Sequence, residues 1–159
     1  MSEAVMNQEQ TALQEKMDQE RSIISLAKAM MQQPEVVVGE FDGNDEFPVQ
    51  HHFANGVYCR QTFLPAGSLV IGKKHKYDTN NILAAGKIAT VNPGVPDEIR
   101  EAPSVWRSPA GTKRAVVTLE DAVWITTHPI DPSWGIEDLD KIEEFVTIKE
   151  DLPEVEKLT

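Results

Sequence analysis

The chain has 159 residues, of which 40% are hydrophobic, and it carries a formal net charge of -11 at pH 7. This length and this hydrophobic content predict one folded domain with appended segments, and they argue against a disordered chain. The negative charge argues against nucleic acid and anionic membranes as partners, since both bind clustered Lys and Arg side chains.

The N-terminal residues have neither the basic stretch nor the apolar stretch of a secretory signal. No apolar run reaches the ~20 residues that span a bilayer. Cys59 is the single cysteine, so no internal disulfide is expected. We therefore expect a cytoplasmic protein with no membrane partner.

Residues 7–32 contain no Gly or Pro and are rich in helix-forming side chains, so they predict an α-helix that ends before Pro34. Eight positions follow one another at alternating spacings of four and three residues, and six of them are apolar. These positions are Met6, Gln10, Leu13, Met17, Glu20, Ile24, Ala27 and Met31. Such a seam packs either on another chain or on the protein's own domain, and the sequence leaves both alternatives open.

Residues 35–38 are a short strand candidate, and residues 39–48 predict a loop rich in Gly and Asp. From Val49 onward, short segments rich in Val, Ile, Thr, Phe and Trp alternate with turn residues. This texture predicts a β-sandwich or β-barrel. The predicted strands are residues 56–63, 68–72, 80–86, 87–91, 104–108, 113–119 and 122–128.

Residues 138–146 predict a short amphipathic helix, because Leu139, Ile142 and Phe145 are spaced for one face. Acidic residues are frequent from residue 137 onward, which is typical of a solvated helix face or a frayed tail. The predicted organisation is an N-terminal helical extension at 1–33, a β-barrel at 34–136, and an acidic C-terminal helix and tail at 137–159.

The tripeptide ProAlaGly occurs twice, at residues 65–67 and 109–111, each time just before a predicted strand. Two similar half-units are what a double-stranded β-helix requires. The surrounding segments also resemble the two motifs of the cupin superfamily, G-x5-H-x-H-x3-4-E-x6-G and G-x5-P-x-G-x2-H-x3-N. The resemblance covers about half of the chain. The fold class expected from it is mainly β, a cupin-like double-stranded β-helix barrel with an N-terminal α-helix and a short C-terminal helix.

The first motif matches PAGSLVIGKKHKYDTNNILAAG, in which Gly67 and Gly86 keep the spacing of the two glycines. Lys73 stands at the position of the first histidine, and His75 stands at the second. Thr79 replaces the glutamate. The turn glycines are therefore kept, while most of the ligand residues of this motif are changed.

The second motif matches PSVWRSPAGTKRAVVT, in which Pro109 and Gly111 are kept. Pro103 replaces its first glycine, Arg114 its histidine and Thr118 its asparagine. Proline and glycine shape a turn, so this motif too keeps the scaffold and loses the metal ligand.

Four stretches, HHFANGVYCR, PAGSLVIGKKHK, SPAGTKRAVVTLEDAVWITTH and DLDKIEEF, are similar in content and order to short cupin-like proteins of tailed bacteriophages and prophages. No activity is established for that family. The resemblance implies a phage origin and leaves the function open.

A cupin metal centre uses three imidazoles and one carboxylate, and His75 alone remains at those positions. Lys73 and Arg114 bring positive charge to the place of the metal, so they favour a small anionic or sugar-like ligand over a cation. No cofactor is therefore expected. A divalent metal with His75 and His128 among its ligands is the weaker alternative.

The orientation of His128 depends on the connection before it. If Glu120 and Asp121 form a two-residue hairpin turn, Arg114 lies opposite Thr127 and shares its face, while His128 points the other way. A change of one residue in loop length reverses the assignment. Thr127 and His128 are therefore both retained as candidates for the pocket.

Asn81 is predicted to face inward as a hydrogen-bonded structural residue. His51 and His52 point to opposite faces of a strand and are predicted to be surface or interface residues. Cys59 is predicted to be a small core residue. Core or rim packing is predicted for Trp106, Trp124 and Trp134. The pocket candidates are Lys73, His75, Asn81, Arg114, Thr127 and His128.

Two functions fit these observations. The first is a non-enzymatic binding, structural or assembly module, with a virion accessory protein as one form of it. Such a module oligomerises or docks through its N-terminal helix on copies of itself or on another phage structural protein, in the cytoplasm of the host bacterium or in the virion. The second is a divergent cupin enzyme, of metal-dependent isomerase or dioxygenase type, that acts on a small anionic or sugar-like substrate with His75 as ligand or acid-base group. The lost ligands and the helical seam favour the first.

Overall fold

A computed structural model of the chain describes residues 2–31, 43, 45, 47–91, 96–112 and 115–149. The helices in these residues are α1 (Glu3–Met31) and α2 (Leu139–Val146), and a 3-10 turn at Ile136–Asp138 leads into α2. The strands are β1 (Val49–Ala54), β2 (Val57–Leu64), β3 (Leu69–Ile71), β4 (Thr79–Ala85), β5 (Lys87–Thr90), β6 (Glu98–Glu101), β7 (Ser104–Ser108), β8 (Ala115–Thr118) and β9 (Ala122–Pro129). A search of the described helices finds none that is both long and apolar enough to cross a membrane.

The strands form two antiparallel sheets, one of five strands in the order β1-β2-β9-β4-β7 and one of four in the order β3-β8-β5-β6. From β2 onward the chain passes from one sheet to the other at each step, except at the β5–β6 hairpin. This alternation builds a double-stranded β-helix, so the predicted fold class is confirmed. The N-terminal and C-terminal helices are present as expected.

Apolar side chains of both sheets fill the space between them, because strand residues alternate between the two faces. The largest of these side chains are at most 2% exposed and are Leu64, Leu83, Ile88 and Val116. Trp106 joins this cluster and stacks on Trp124, with 6.2 Å between the ring centroids. The packing role predicted for these two tryptophans is confirmed.

Helix α1 packs through its C-terminal half on the outer face of the four-stranded sheet. Ile24 is 8% exposed and belongs to the cluster of apolar side chains on that face. The others are Ala89, Val91, Ala115 and Val117. Nearer the start of α1, the seam residues Met6, Leu13 and Met17 are 47%, 59% and 38% exposed. The helix therefore docks on its own barrel at one end and leaves its seam open at the other.

Helix α2 lies at the end of the barrel where β2 begins and β9 ends. Its side chains Ile142 and Val146 are at most 1% exposed and pack with Tyr58 of β2 and Ile130, the residue after β9. The amphipathic helix predicted at 138–146 is thus confirmed, and its apolar face covers this end of the barrel.

Glycine is needed at two positions next to the strands of the five-stranded sheet. Asn55 and Gly56 have φ angles of 39° and 84° and connect β1 to β2 in a tight hairpin. Gly86 has a φ angle of 85°, and a Cβ atom there would lie 2.1 Å from the carbonyl oxygen of Asp121. The backbone before β9 therefore passes too close to Gly86 for any side chain, which explains the glycine that ends the first cupin-like motif.

The structure decides between the alternatives left open for the connection before β9. Glu120 and Asp121 do not form a hairpin turn, because β8 pairs with β3 and β5 while β9 pairs with β2 and β4. The two strands lie in different sheets, so the register that such a hairpin would impose on them does not apply. The segment crosses from one sheet to the other, as the alternation of a double-stranded β-helix demands.

The seven predicted strands are confirmed as β2, β3, β4, β5, β7, β8 and β9, and the helix predicted at 7–32 is confirmed as α1. Strand β6 is not predicted because its sequence, EIRE, is mostly charged, which suits its position at the edge of the sheet. The strand candidate at 35–38 and the tail from residue 150 lie outside the described residues.

We call the outer face of the four-stranded sheet, on which α1 packs, the covered face, and that of the five-stranded sheet the uncovered face. On the uncovered face Val57, Phe63 and Val105 are 44%, 41% and 67% exposed. Cys59 points to the same side and is partly exposed, so its prediction as a core residue is wrong. None of the five strands of this sheet contains Asp or Glu, although the chain has 26 acidic residues.

Candidate functional site

The barrel interior next to α2 is polar. Tyr58 and Arg60 of β2 point inward, and the strands beside them place His128 of β9 opposite Tyr58 and His51 of β1 opposite Arg60. His75 reaches the same region from the loop between β3 and β4. We call these five residues the inner polar cluster.

The rings of the inner polar cluster contact one another in series. His75 meets His128 edge to face, with 4.8 Å between the ring centroids. Tyr58 stacks on His128 at 5.8 Å, and the Oη atom of Tyr58 lies 2.7 Å from Nδ1 of His51. The Nε2 atom of His128 lies 3.1 Å from Oγ1 of Thr126. The Nδ1 atom of His128 is buried and has no hydrogen-bond partner among the described residues.

Burial dominates the protonation of this cluster. The pKa of His128 is lowered to about 3, first by burial and then by the neighbouring His75 and Arg60. Burial, with a smaller contribution from Arg60, also lowers the pKa of His75. Burial raises the pKa of the Tyr58 hydroxyl above its ordinary value. At neutral pH both imidazoles are therefore uncharged and the phenol is protonated, while Arg60 carries a positive charge.

The loop that carries His75 is tied to α2. The ammonium group of Lys73 forms an ion pair with the carboxylate of Glu143. Thr147, just after α2, forms a β-bridge with His75. Lys73, a pocket candidate for binding an anion, therefore binds a carboxylate of the protein itself.

The structure brings His75 and His128 together inside the barrel. Thr127 points to the outside of β9, where its hydroxyl donates a hydrogen bond of 3.2 Å to the carbonyl oxygen of Asn80. Arg114 lies outside the described residues.

Asn81 faces inward and is 2% exposed. Its Nδ2 donates to Oγ of Ser108 at 2.7 Å, and its Oδ1 accepts from Nε1 of Trp124 at 3.1 Å. These two bonds join β4 to its neighbours on both sides, so Asn81 has the structural role that its burial predicts.

Sequence reasoning misses Tyr58, Arg60 and His51. The prediction that His51 is a surface residue is wrong, since its ring stacks with Tyr58 inside the barrel. His52 is exposed on the opposite side, where its Nε2 lies 3.2 Å from Oε1 of Gln61. The alternation along β2 could have indicated Arg60. It is the charged residue in an inward-facing series whose other members are uncharged.

The described residues do not fit the divalent metal of a cupin centre. They contain no group of three or more His, Cys, Asp or Glu placed to hold a metal ion. The inner polar cluster holds the imidazoles of His51, His75 and His128 but no carboxylate, and Nδ1 of His51 is taken up by the hydroxyl of Tyr58. The guanidinium of Arg60 also repels a cation.

No family model matches the sequence, and no curated protein matches it. Among solved structures, a cupin-2 domain protein from Shewanella frigidimarina has 12% identity and a TM-score of 0.46, over 54% of this chain and 83% of that one. An RmlC-like cupin with a double-stranded β-helix fold from Methanocaldococcus jannaschii has 12% identity and a TM-score of 0.46, over 62% of this chain and 93% of that one.

An acetylacetone dioxygenase from Acinetobacter johnsonii is similar at 16% identity and a TM-score of 0.43, over 52% of this chain and 58% of that one. The structural neighbours thus include cupin proteins and an enzyme. Identities and TM-scores this low give no indication of activity in this chain.

Proposed function

We propose that this protein is a non-enzymatic assembly module of a phage, which joins copies of itself or another phage structural protein through α1. One observation carries the proposal. Leu13 and Met17 belong to the same heptad seam that buries Ile24 on the barrel, yet they are 59% and 38% exposed. Exposed apolar side chains with this spacing are those that a helix packs against a second helix.

The open part of the seam is long enough for such a contact. At about 1.5 Å per residue, the segment from Glu3 to Met17 spans about 20 Å, or two heptads. Most of the stability of a helix in a protein comes from packing of its apolar face, and this half of α1 leaves Leu13 and Met17 exposed. A second helix would bury the seam and stabilise this half of α1.

The uncovered face supports a contact between copies. Two chains that each carry a net charge of -11 repel each other, so they need an interface free of acidic residues. The five strands of this sheet meet that condition. Strands about 4.8 Å apart, with about 3.3 Å per residue, give a face of roughly 20 by 20 Å. This is on the order of half of the 800 Å² that each partner buries in a stable dimer, so the face needs the helix contact beside it.

The proposal includes no metal and no other cofactor, because the inner polar cluster lacks the donor set of a cupin metal centre. The phage origin, and with it a location in the host cytoplasm or in the virion, rests on the sequence resemblance. The assembled partner is a homo-oligomer or another phage structural protein.

The test compares the wild type with Leu13→Asp and with Gln8→Asp, which places the same charge on the opposite side of α1. Light scattering over a range of concentrations gives the mass in solution. We expect an oligomer for the wild type and for Gln8→Asp, and a smaller species for Leu13→Asp. Deleting the whole helix would be a poorer test, because it would expose the covered face around Val117. Identical masses for the two variants contradict a role of the seam in joining copies. A monomeric wild type contradicts the homo-oligomer and leaves another phage structural protein as the partner.

A divergent cupin enzyme is the second candidate, and the contact between His75 and His128 favours it. The neutral imidazole of His75 can accept a proton from a small anionic or sugar-like substrate, and Arg60 can orient an anion. Elemental analysis after soaking in Fe, Mn, Ni and Zn separates the metal-dependent form from the metal-free module. Stoichiometric metal that is lost in His75→Ala would favour the enzyme over the module.

A further inference from the structure

Strand β7 forms one edge of the five-stranded sheet. Among the described residues it pairs with β4 alone, from Ser104 to Ser108, in a register without a bulge. The backbone groups on its other side therefore point away from the sheet. A row of N–H and C=O groups of this kind can bind a further strand, and most proteins carry features at their sheet edges that discourage such pairing.

These features are present at other edges of the described sheets and are lacking in β7. Strand β3 has three residues, and β6 has the sequence EIRE, with three charged side chains. On β1, His51 has an interaction besides its contact with Tyr58. By contrast, β7 has five residues, SVWRS, with no acidic residue and no proline inside the strand. Its Val105 side chain is 67% exposed.

A hydrogen bond on the neighbouring strands indicates which backbone groups of β7 lie at the edge. The hydroxyl of Thr127 on β9 reaches the carbonyl oxygen of Asn80 at 3.2 Å, so the backbone groups of Asn80 point to β9. Backbone groups alternate in direction along a strand, so those of Asn81 point the other way and bond Trp106 of β7. The two residues beside Trp106 therefore point their N–H and C=O groups to the free edge.

These two residues, Val105 and Arg107, can pair with their own copies in a second chain. A two-fold axis between the Trp106 residues of two chains would place Val105 of each chain opposite Arg107 of the other. Each of these pairs exchanges two backbone hydrogen bonds, so the contact has about four in all. The register is self-complementary, as a two-fold contact requires.

The side chains suit the same register. Val105 and Arg107 both point to the uncovered face, so the aliphatic part of each Arg107 would lie against Val105 of the other copy. The charge of Arg107 is balanced within its own chain by Asp78, with 2.9 Å between Nη1 and Oδ2. Each chain has a net charge of -11, and β7 brings no acidic side chain to the contact between them.

From this geometry we propose that β7 pairs antiparallel with β7 of a second copy and joins the two five-stranded sheets into one. The inference deepens the assembly role and rests on it for the purpose of the contact, but it uses β7 where that role uses α1. Pairing through β7 alone gives a dimer. A chain with two separate two-fold contacts gives a closed tetramer or an open filament.

Disulfide formation tests the register. Val105→Cys and Arg107→Cys are made as separate chains, each with Cys59→Ser. In the proposed register the Cα atoms of residues 105 and 107 in different copies are about 5.5 Å apart, which a disulfide spans, whereas those of the two residues 105 are about 8 Å apart. We expect the mixture to form a cross-linked dimer at least about fivefold faster than Val105→Cys alone. Equal rates, or no cross-linked dimer from the mixture, overturn the proposal.

A proline substitution tests whether the backbone makes the contact. Val105→Pro removes an N–H group at the free edge and no bond to β4, so the barrel should remain folded, as circular dichroism would show. Val105→Thr is the matched control, because it keeps the N–H group and the branched side chain. Light scattering should give a smaller mass for Val105→Pro and the wild-type mass for Val105→Thr. Equal masses for the two variants contradict pairing through β7, and the disulfide test decides if Val105→Pro does not fold.

Leu13→Asp separates this contact from assembly through α1. We expect Leu13→Asp to remain a dimer through β7, and Leu13→Asp combined with Val105→Pro to be a monomer. A monomeric Leu13→Asp overturns pairing through β7 and leaves α1 as the contact. A Leu13→Asp variant with the wild-type mass that becomes monomeric with Val105→Pro supports β7 and contradicts the role of α1.

Discussion

The covered face and the uncovered face are the outer sides of two similar antiparallel sheets, and they differ in what lies on them. The covered face buries Val117 to 2% exposure under Ile24 of α1. The uncovered face leaves Val105 67% exposed and Phe63 41% exposed. The uncovered face mixes these apolar side chains with polar ones such as His52 and Thr127. An antiparallel sheet that only faces water usually alternates apolar and polar residues more strictly than the uncovered face does.

This difference teaches that, among the described residues, a helix covers one face and not the other. Helix α1 carries enough apolar seam for two contacts, but Ile24 uses the C-terminal part on the covered face. In the part of the chain that the structure describes, the open part of the seam and the uncovered face thus expose apolar side chains to another molecule. If the difference in exposure matters for stability, substitutions on the covered face should lower the free energy of unfolding more than substitutions on the uncovered face.

The largest effect is expected from a charge placed on each face in turn. Val117→Asp would bury a carboxylate under α1 and should lower the free energy of unfolding by about 4 kcal/mol or more. Val105→Asp puts the same charge on the uncovered face and should change it by less than about 0.5 kcal/mol. Urea denaturation monitored by circular dichroism measures both. Similar losses of unfolding free energy in the two variants would show that the two faces are equally buried in solution.

A smaller effect is expected from shortening one side chain at each end of the α1 seam. Ile24→Ala should cost about 2–3 kcal/mol, because it leaves a cavity between α1 and the covered face. Leu13→Ala should cost less than about 0.5 kcal/mol in the monomer, since Leu13 is already 59% exposed. Hydrogen exchange along α1 would locate the change. If the backbone amides at both ends of the wild-type helix were equally protected from exchange at low protein concentration, the two ends of α1 would not differ in packing.

The next effect concerns the inner side of the five-stranded sheet. The folded protein holds the pKa of His128 at about 3, whereas an unfolded chain takes up the proton near pH 6.5. The free energy of unfolding is therefore highest above pH 6.5, where His128 is neutral in both the folded and the unfolded chain. It decreases by about 1.4 kcal/mol per pH unit as the pH falls below 6.5. Between pH 6.5 and 5 the loss should be about 2 kcal/mol, and His75 adds to it in the same direction.

Denaturation curves at several pH values measure this slope, and His128→Gln should make it shallower. His52→Gln is the control, because it changes an exposed imidazole on the outer side of the same sheet. A slope that does not change in His128→Gln would show that the inner polar cluster does not set the acid sensitivity.

The smallest effect is expected from the ion pair that links α1 to the loop between β8 and β9. Nζ of Lys16 and Oε1 of Glu120 are 3.5 Å apart, and their side chains are 55% and 43% exposed. Water screens such a pair, so Lys16→Met should change the free energy of unfolding by less than about 0.5 kcal/mol. A loss above 1 kcal/mol would mean that α1 is held by charge as much as by Ile24.

The helices and seven strands could be predicted because their signals are local. The spacing of Leu139, Ile142 and Phe145 defines α2, and turn residues such as Asn55 and Gly56 separate the strands. Strand partners are not local. Adjacent segments β8 and β9 look like a hairpin, yet the chain crosses between sheets there.

The candidate site was harder to predict for the same reason. His75 could be found from its place in a motif, whereas the direction of His128 depends on a register that no local pattern contains. Arg60 lies inside the barrel because its neighbours Tyr58 and Thr62 are buried, and that burial follows from pairing with β9.

The docking of α1 also has a consequence for the order of events during synthesis. Ile24 leaves the ribosome about ninety residues before Val117, which completes the surface that receives it. At roughly 5–20 residues per second, the helix waits about 5–20 s for its own barrel. Through that interval its whole seam is available to a neighbouring nascent chain, so pairing of helices can precede folding of the barrels.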